Sequence, residues 1–320
     1  MRWTLAAVTG VLLLLQSAYF HFQRPGSGPD CGQSHSPASP CQDGRGDHLE
    51  AVCLEDRMLK NNLIRQGAEL IERGRTVGSA VLGKQLEVAS CQLHLPPPGP
   101  TISDSAELFL TAKDSVVVVG GLYKCNKCSR WHADTASGFV ISSDGAVVTN
   151  YHVVDSSRER ALVVMTADSR VYPVERVLAA SRADDLAILK VDAEGLRPLT
   201  LAGSTAAAPI GSAVSIISHP DGRFYCYTTG VISRYMKTEL GGGEVDAVAV
   251  TAEYARGSSG APVLNHQGHV VAVVSSTESI YYTEDGQRQR DLQMVFRTCV
   301  PAPSLLKLIQ PPSQLAGRVR

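Results

Sequence analysis

The sequence predicts an all-β fold, a sandwich or a barrel, preceded by a helical extension. Short valine-rich runs separated by turn residues follow one another from residue 116 onward, and Asp144-Gly145 stands between two of them as a hairpin turn. A short helix is expected near residues 303–309. The predicted strands span residues 116–119, 138–141, 146–149, 161–166, 171–178, 186–191, 213–217, 230–233, 245–251, 261–264, 270–275 and 292–296.

The first 22 residues, 1–22, predict an export signal. Arg2 precedes an apolar run over residues 5–15, which is shorter than the ~20 apolar residues of a spanning helix. No clear cleavage site of small residues follows, so a cleaved signal peptide and an uncleaved signal-anchor both stay open. Either outcome places the remaining chain outside the cytoplasm, in the periplasm or secreted, with membrane anchoring as an option.

Residues 23–104 are predicted to be a linker and an amphipathic helical segment. Pro, Gly, Ser and Asp dominate up to about residue 46, as in linkers. Apolar residues then recur at helical spacing over residues 49–71. We interpret this segment as a helical spacer, although packing on the main domain or on a partner would produce the same pattern. The proline-rich segment 95–100 breaks the chain and sets the domain boundary.

The composition excludes several classes of function. Hydrophobic residues make up 44% and charged residues 19%, as in soluble globular proteins. A formal net charge of -1 and an aromatic content of 6% give no basis for nucleic-acid binding, and nothing predicts a cofactor. The eight cysteines, an even number, fit disulfides in an oxidising compartment, although buried thiols with one metal site would fit as well.

Three segments together predict nucleophilic catalysis of acyl transfer. His152 follows a β-type run, Asp185 precedes an apolar strand, and Ser259 lies in a glycine-flanked turn. A serine hydroxyl is a weak nucleophile, so a histidine must take its proton and a carboxylate must orient that histidine. Gly257 permits a turn that aims two backbone N–H groups, its own and that of Ser259, at an oxyanion. Each residue alone is common in structural roles; their order along the chain indicates catalysis.

These segments resemble those of chymotrypsin-fold, trypsin-like serine peptidases, most closely the HtrA/DegP-like branch. The matching runs are Thr149-Asn-Tyr-His-Val-Val154, Asp185-Leu-Ala-Ile-Leu-Lys190 and Gly257-Ser-Ser-Gly-Ala-Pro262. The resemblance implies two six-stranded antiparallel β-barrels of chymotrypsin type with the active site in the cleft between them. It places the protease domain at residues 105–310, barrel one at about 105–205, barrel two at about 206–300, and a tail at 311–320.

The sequence departs from the family pattern around the nucleophile. Ser258 stands where the family has Asn or Asp, and Ala261 replaces a glycine; both residues are small. In the family register Asp185 and Ser259 are catalytic, rather than the neighbouring Asp184 and Ser258. The residues after the last predicted strand are too few for a PDZ domain, so a catalytic domain without one is expected.

The substrate pocket is predicted near Glu253 and the run Val273, Val274, Ser275 and Ser276. Glu253 lies shortly before the nucleophile, where an acid could select a basic side chain. A solvated surface charge would produce the same pattern, and we favour that interpretation.

The run Cys125-Asn-Lys-Cys128, with His132 nearby, could supply three zinc ligands. A fourth ligand, His94 or another cysteine, would have to come from a distant part of the chain, so we favour a local disulfide and assign no metal. A bridge between Cys226 and Cys299 is a further option.

The sequence therefore predicts a serine endopeptidase that hydrolyses extracytoplasmic proteins or peptides. The alternative is a non-catalytic trypsin-fold binding module, or a dormant protease awaiting activation. The oligomeric state stays open.

Overall fold

The computed structural model describes residues 53–97, 104–125, 127–156, 159–240, 242–285 and 288–310, without the side chains of 283–288. The predicted export signal, most of the linker and the tail lie outside these residues. From Leu54 onward the chain belongs to one compact unit. Within the described ranges, no helix has both the length and the apolar character needed to cross a membrane.

The N-terminal extension is helical and packs on the first barrel. It consists of α1 (Asp56–Glu72), α2 (Ser79–Gln85), the short strand β1 (Cys91–Gln92) and α3 (Ser105–Lys113). Helix α1 buries Leu63 completely, and Leu63 lies over Gly120, where an added Cβ would approach it to 3.0 Å. The spacer interpretation of this helix is therefore wrong. Its apolar face packs on barrel one, where Gly120 leaves room for Leu63, and this packing removes the face from water.

Two features of the extension were not predicted. Helix α3 starts at the N-cap Asp104, whose Oδ1 accepts the backbone N–H groups of Ala106 and Glu107 at 2.7 and 3.0 Å. Strand β1 pairs in parallel with β14 (Ile309–Gln310) at the other end of the described chain. The segment ahead of the predicted boundary is thus joined to the last described residues by a strand pair.

Two closed barrels of six antiparallel strands form the rest of the fold, which confirms the predicted class. Barrel one has the strand order β2-β3-β4-β7-β6-β5. Its strands are β2 (Val116–Lys124), β3 (Trp131–Ser142), β4 (Ala146–Thr149), β5 (Ala161–Met165), β6 (Val171–Ser181) and β7 (Leu186–Val191). The one-turn helix α4 (Tyr151–Val154) follows β4 directly.

Barrel two has the strand order β10-β13-β12-β11-β8-β9. Its strands are β8 (Ala213–Ser218), β9 (Cys226–Leu240), β10 (Gly243–Val250), β11 (Pro262–Asn265), β12 (Val270–Asp285) and β13 (Arg288–Pro301), followed by helix α5 (Ala302–Leu306). Strands β12 and β13 continue as a long paired hairpin whose residues are largely exposed, well past the apolar runs that predicted them.

Several strands of each barrel are buried on both faces, mostly by aliphatic side chains. In barrel one, Phe139 and the consecutive Ile188 and Leu189 have no exposed surface, and in barrel two Ile216 and Val263 have none. Because the strand interiors are packed, the ends of the strands and the loops between them are the parts free to carry polar side chains.

Candidate active site

The loop after β4 presents His152 at the surface of barrel one. His152 lies in α4, and about half of its side chain, 52%, is exposed. The preceding Asn150 is fully buried and donates from Nδ2 to the backbone carbonyl of Asp185 at 2.8 Å. This hydrogen bond ties the histidine loop to the turn before β7.

Asp185 occupies that turn and faces the histidine. Its φ of 52° places it in the left-handed region, which Asp tolerates better than most residues. The carboxylate accepts the backbone N–H of His152 at 3.1 Å, and His152 Nδ1 lies 2.9 and 3.0 Å from its two oxygens. The residue is 8% exposed, so these contacts are largely shielded from water.

The neighbouring Asp184 has a different partner. Its Oδ2 accepts the hydroxyl of Ser181 at 2.7 Å, and its own backbone N–H donates to that hydroxyl oxygen at 3.1 Å. Of the two adjacent acids, Asp185 is therefore the one that the backbone turns toward His152.

A second donor to Asp185 comes from barrel two. Ser275 Oγ donates to Asp185 Oδ2 at 2.7 Å, and Ser275 is 6% exposed. The pairing of β12 with β13 shifts register between Val274 and Ser276, so Ser275 lies at an irregularity of the ladder. This serine was predicted to line the substrate pocket; it lines the cavity of about 300 Å³ beside His152, and its hydroxyl contacts the carboxylate and so joins the two barrels.

The turn that carries Ser259 is held between the barrels. Gly257 and Gly260 have φ values of 99° and 85°, which favour glycine. A Cβ on Gly257 would lie 2.5 Å from the carbonyl oxygen of His219. On the other side, the backbone N–H of Ser137 in β3 donates to the carbonyl of Ser259 at 2.9 Å.

The carbonyls of this turn show where its N–H groups point. The carbonyl of Arg256 accepts the N–H of Asp221 at 2.6 Å, and that of Ser258 accepts the N–H of Ala261 at 3.0 Å. In a trans peptide the N–H lies opposite the carbonyl, so the N–H groups of Gly257 and Ser259 point away from these two contacts. Within the described residues, neither N–H donates to a backbone carbonyl.

The hydroxyl of Ser258 is engaged elsewhere. Ser258 is completely buried and donates to Ser218 Oγ in barrel two at 3.0 Å. Ser259, in contrast, is partly exposed and lines a cavity of about 170 Å³ together with His152 and Thr135. No hydrogen bond joins Ser259 to His152 in the part of the chain that the structure describes.

Known proteins match this chain over the same region. Residues 136–273 match the family described as Trypsin-like peptidase domain. Over these residues the chain is similar to that family. The matched residues include the histidine loop, the Asp185 turn and the serine turn.

Curated relatives confirm the resemblance to the HtrA/DegP-like branch. A probable periplasmic serine endoprotease DegP-like of Halomonas elongata is 36% identical over 139 residues, 43% of this chain and 28% of the relative. A protein of the same name from Hahella chejuensis is 32% identical over 152 residues, 48% of this chain and 31% of the relative. Serine protease HTRA1 of Xenopus laevis is 32% identical over 145 residues, 44% of this chain and 31% of the relative. The chain thus spans less than a third of the length of these relatives.

The residues predicted to line the substrate pocket occupy different environments. Val273 and Val274 are 0% and 1% exposed in the barrel cores, so only their backbone could contact a substrate. Ser276 is exposed and lines a cavity of about 300 Å³ beside His152. The side chain of Glu253 is 80% exposed and forms an ion pair with Arg297 at 3.2 Å. This pairing offsets the charge that the basic-selectivity hypothesis requires.

Two buried groups that sequence reasoning did not assign support the serine turn. Ser137 donates from Oγ to the carbonyl of Gly257 at 2.9 Å and accepts the N–H of His219 at 3.1 Å. His219 is fully buried, and its Nδ1 accepts the backbone N–H of Tyr225 at 3.0 Å. Burial lowers the pKa of His219 to about 4. A neutral imidazole therefore lies beneath the serine turn at neutral pH.

Four of the described cysteines are free thiols: Cys125, Cys128, Cys226 and Cys299. Cys299 lies on β13 with no exposed surface, 3.7 Å from the Tyr254 hydroxyl, and burial raises the pKa of its thiol to about 12. The suggested bridge between Cys226 and Cys299 is not formed in the structure. The pair Cys125 and Cys128 is also unbridged.

Proposed function

We propose that this chain is a serine endopeptidase that hydrolyses peptide bonds of proteins or peptides outside the cytoplasm. Ser259 is the nucleophile, His152 the general base and acid, and Asp185 the group that orients the histidine. The observation that carries the proposal is the Asp185 carboxylate, which binds His152 Nδ1 beside a cavity that Ser259 also lines. The relatives' names, serine endoprotease and periplasmic, support the reaction class and the compartment.

The contacts of His152 determine its role in the proposed reaction. Since Nδ1 donates to the carboxylate, the neutral imidazole keeps its lone pair on Nε2, the tautomer that can accept the serine proton. When His152 becomes positively charged, the 2.9 Å contact to Asp185 stabilises that charge. The proton then passes from Nε2 to the amine that leaves as the acyl-enzyme forms. A water molecule, activated by the same nitrogen, releases the acid product.

The serine turn supplies the electrostatic part of the proposed mechanism. As Ser259 Oγ attacks the carbonyl carbon, the carbonyl oxygen gains negative charge. The N–H groups of Gly257 and Ser259 are the donors for this oxyanion, because the carbonyls of Arg256 and Ser258 are held by other partners. Donors that are already oriented need no reorganisation as the charge develops.

One observation is also compatible with the alternative of a dormant protease awaiting activation. His152 and Ser259 line one cavity, yet no hydrogen bond joins them among the described residues. Catalytic hydrogen bonds often shorten only when a substrate is bound, so an open contact suits both an unliganded enzyme and a dormant one.

Reaction with a fluorophosphonate probe tests the proposal. The purified full chain should be labelled, the label should be absent from Ser259→Ala, and His152→Ala should react far more slowly. Ser258→Ala is the matched control, since its hydroxyl contacts Ser218 rather than the cavity, and it should be labelled like the parent. An unlabelled parent whose circular dichroism shows a folded β-protein would refute the catalytic proposal and favour the dormant or binding alternative.

A further inference from the structure

The loop between β2 and β3 brings three metal-binding side chains together. Cys125 and Cys128 lie in this loop, and His132 is the second residue of β3. Their Sγ, Sγ and Nε2 or Nδ1 atoms all lie within 4.8 Å of one another, and each residue is half-buried. Among the described residues, no other His, Cys, Asp or Glu cluster of three meets this spacing.

The distances suit a tetrahedral metal ion better than a disulfide. Zinc binds sulfur at about 2.3 Å and nitrogen at about 2.0 Å, which places two ligand atoms about 3.5–3.8 Å apart in a tetrahedron. The two Sγ atoms are 3.4 Å apart, and Cys128 Sγ lies 3.1 Å from His132 Nε2. For these two pairs of ligand atoms, a tetrahedral ion requires shifts of a few tenths of an ångström. A disulfide of about 2.05 Å would require the sulfurs to approach by more than an ångström.

The formal charges of the loop suit a metal site of this kind. The loop carries Lys127 and Arg130 and no acidic residue, so its charges favour two thiolates, the form of cysteine that binds metals.

The histidine is held by its strand neighbours. His132 pairs with Tyr123 across the β2–β3 ladder, and the two rings stack with their centroids 5.5 Å apart. The last pair of this ladder joins Lys124 to Trp131, and Lys124 Nζ lies 4.7 Å from the centre of the tryptophan ring. The hairpin thus orients the imidazole toward Cys128 without the help of an ion.

We propose that Cys125, Cys128 and His132 bind one zinc ion, with water or a ligand from outside this cluster in the fourth position. Two thiolates and an imidazole are soft or borderline ligands that suit zinc and disfavour magnesium and calcium. Each thiol releases its proton when the metal binds, and two thiolates neutralise the charge of Zn²⁺.

The ion connects the loop to the wall of the catalytic cleft. Strand β3 continues from His132 to the cavity that Ser259 lines. Its residues Asp134, Thr135 and Ala136 line the same cavity. A metal that fixes the loop end of the β2–β3 hairpin therefore limits the movement of this wall. The binding site itself stands on its own residues and does not depend on the proposed peptidase activity.

Metal analysis of the full chain, purified under reducing conditions without chelators, tests the site. We expect about one zinc per chain in the parent, as in a mononuclear site. Cys125→Ser, Cys128→Ser and His132→Ala should each lose most of it. Cys226→Ser and His266→Ala are matched controls, because both residues lie outside the cluster, and they should keep the zinc content of the parent.

Cobalt(II) titration of the parent makes the test independent of variant folding. A tetrahedral site with two thiolates should show intense d–d absorption and a sulfur-to-cobalt charge-transfer band, which zinc then displaces. Removal of zinc by a chelator should expose two additional thiols to a thiol reagent.

Reduced parent protein that binds neither zinc nor cobalt would overturn the proposal. So would cluster variants that keep full zinc, or a Cys125–Cys128 disulfide that forms in air despite excess zinc.

Discussion

Replacing Ser275 by alanine should slow the reaction of Ser259 without unfolding the protein. The Ser275 hydroxyl donates to Asp185 Oδ2 at 2.7 Å, and both residues are less than 10% exposed, at 6% and 8%. A hydrogen bond to a charged group contributes about 1.5–3 kcal/mol, and about 1.4 kcal/mol corresponds to a tenfold change in rate. If the whole free energy of this hydrogen bond stabilises the charged His152 in the transition state, its loss should lower the rate of acylation about ten- to hundredfold.

The second-order rate constant of fluorophosphonate labelling and kcat/KM for a peptide substrate measure this effect. Ser276→Ala is the matched control, because the adjacent residue is exposed and its hydroxyl does not contact Asp185. Thermal unfolding of both variants checks that each is folded. Equal labelling rates for Ser275→Ala, Ser276→Ala and the parent would show that the interbarrel hydrogen bond does not contribute to catalysis.

Two further predictions concern the serine turn and its support. Gly257→Ala should abolish probe labelling and lower the melting temperature, because the new Cβ would lie 2.5 Å from the His219 carbonyl at a φ of 99°. Gly195→Ala has a similar φ of 70° but meets no atom within 4 Å, so a comparable loss there would contradict the steric explanation. Since burial lowers the pKa of His219 from 6.5 to about 4, its contribution to stability is complete above pH 6.5 and is lost as the pH falls toward 4. Denaturant unfolding should show that acidification over this range costs the parent about 3 kcal/mol more than His219→Asn, and equal pH dependence would refute the assignment.

The strands whose bounds the sequence predicted best are those that a local pattern of apolar and turn residues specifies. Strands β4 (Ala146–Thr149) and β7 (Leu186–Val191) were predicted with the bounds that the structure shows, because each is a largely apolar run between turn residues. The hairpin of β12 and β13 was predicted far too short. Its outer part is largely exposed, and its strands form because they pair with each other, which no buried apolar run reveals.

The N-terminal helix shows the same division between pattern and packing. Its amphipathic spacing indicated a helix, and α1 (Asp56–Glu72) is one. The surface that receives it was not predictable, because it depends on Gly120 in β2 leaving room for Leu63 on a different segment of the chain.

The residue pattern identifies which residue types can carry the chemistry. Few side chains can serve as nucleophile, base and orienting acid, and their order along the chain, with the family register, selects His152, Asp185 and Ser259 as candidates. Their surroundings follow from the tertiary structure. Ser275 contacts the Asp185 carboxylate because the ladder of β12 is irregular there and turns the hydroxyl across the interface between barrels. Such a contact joins residues far apart in the chain, and its direction depends on backbone geometry that a residue pattern does not contain.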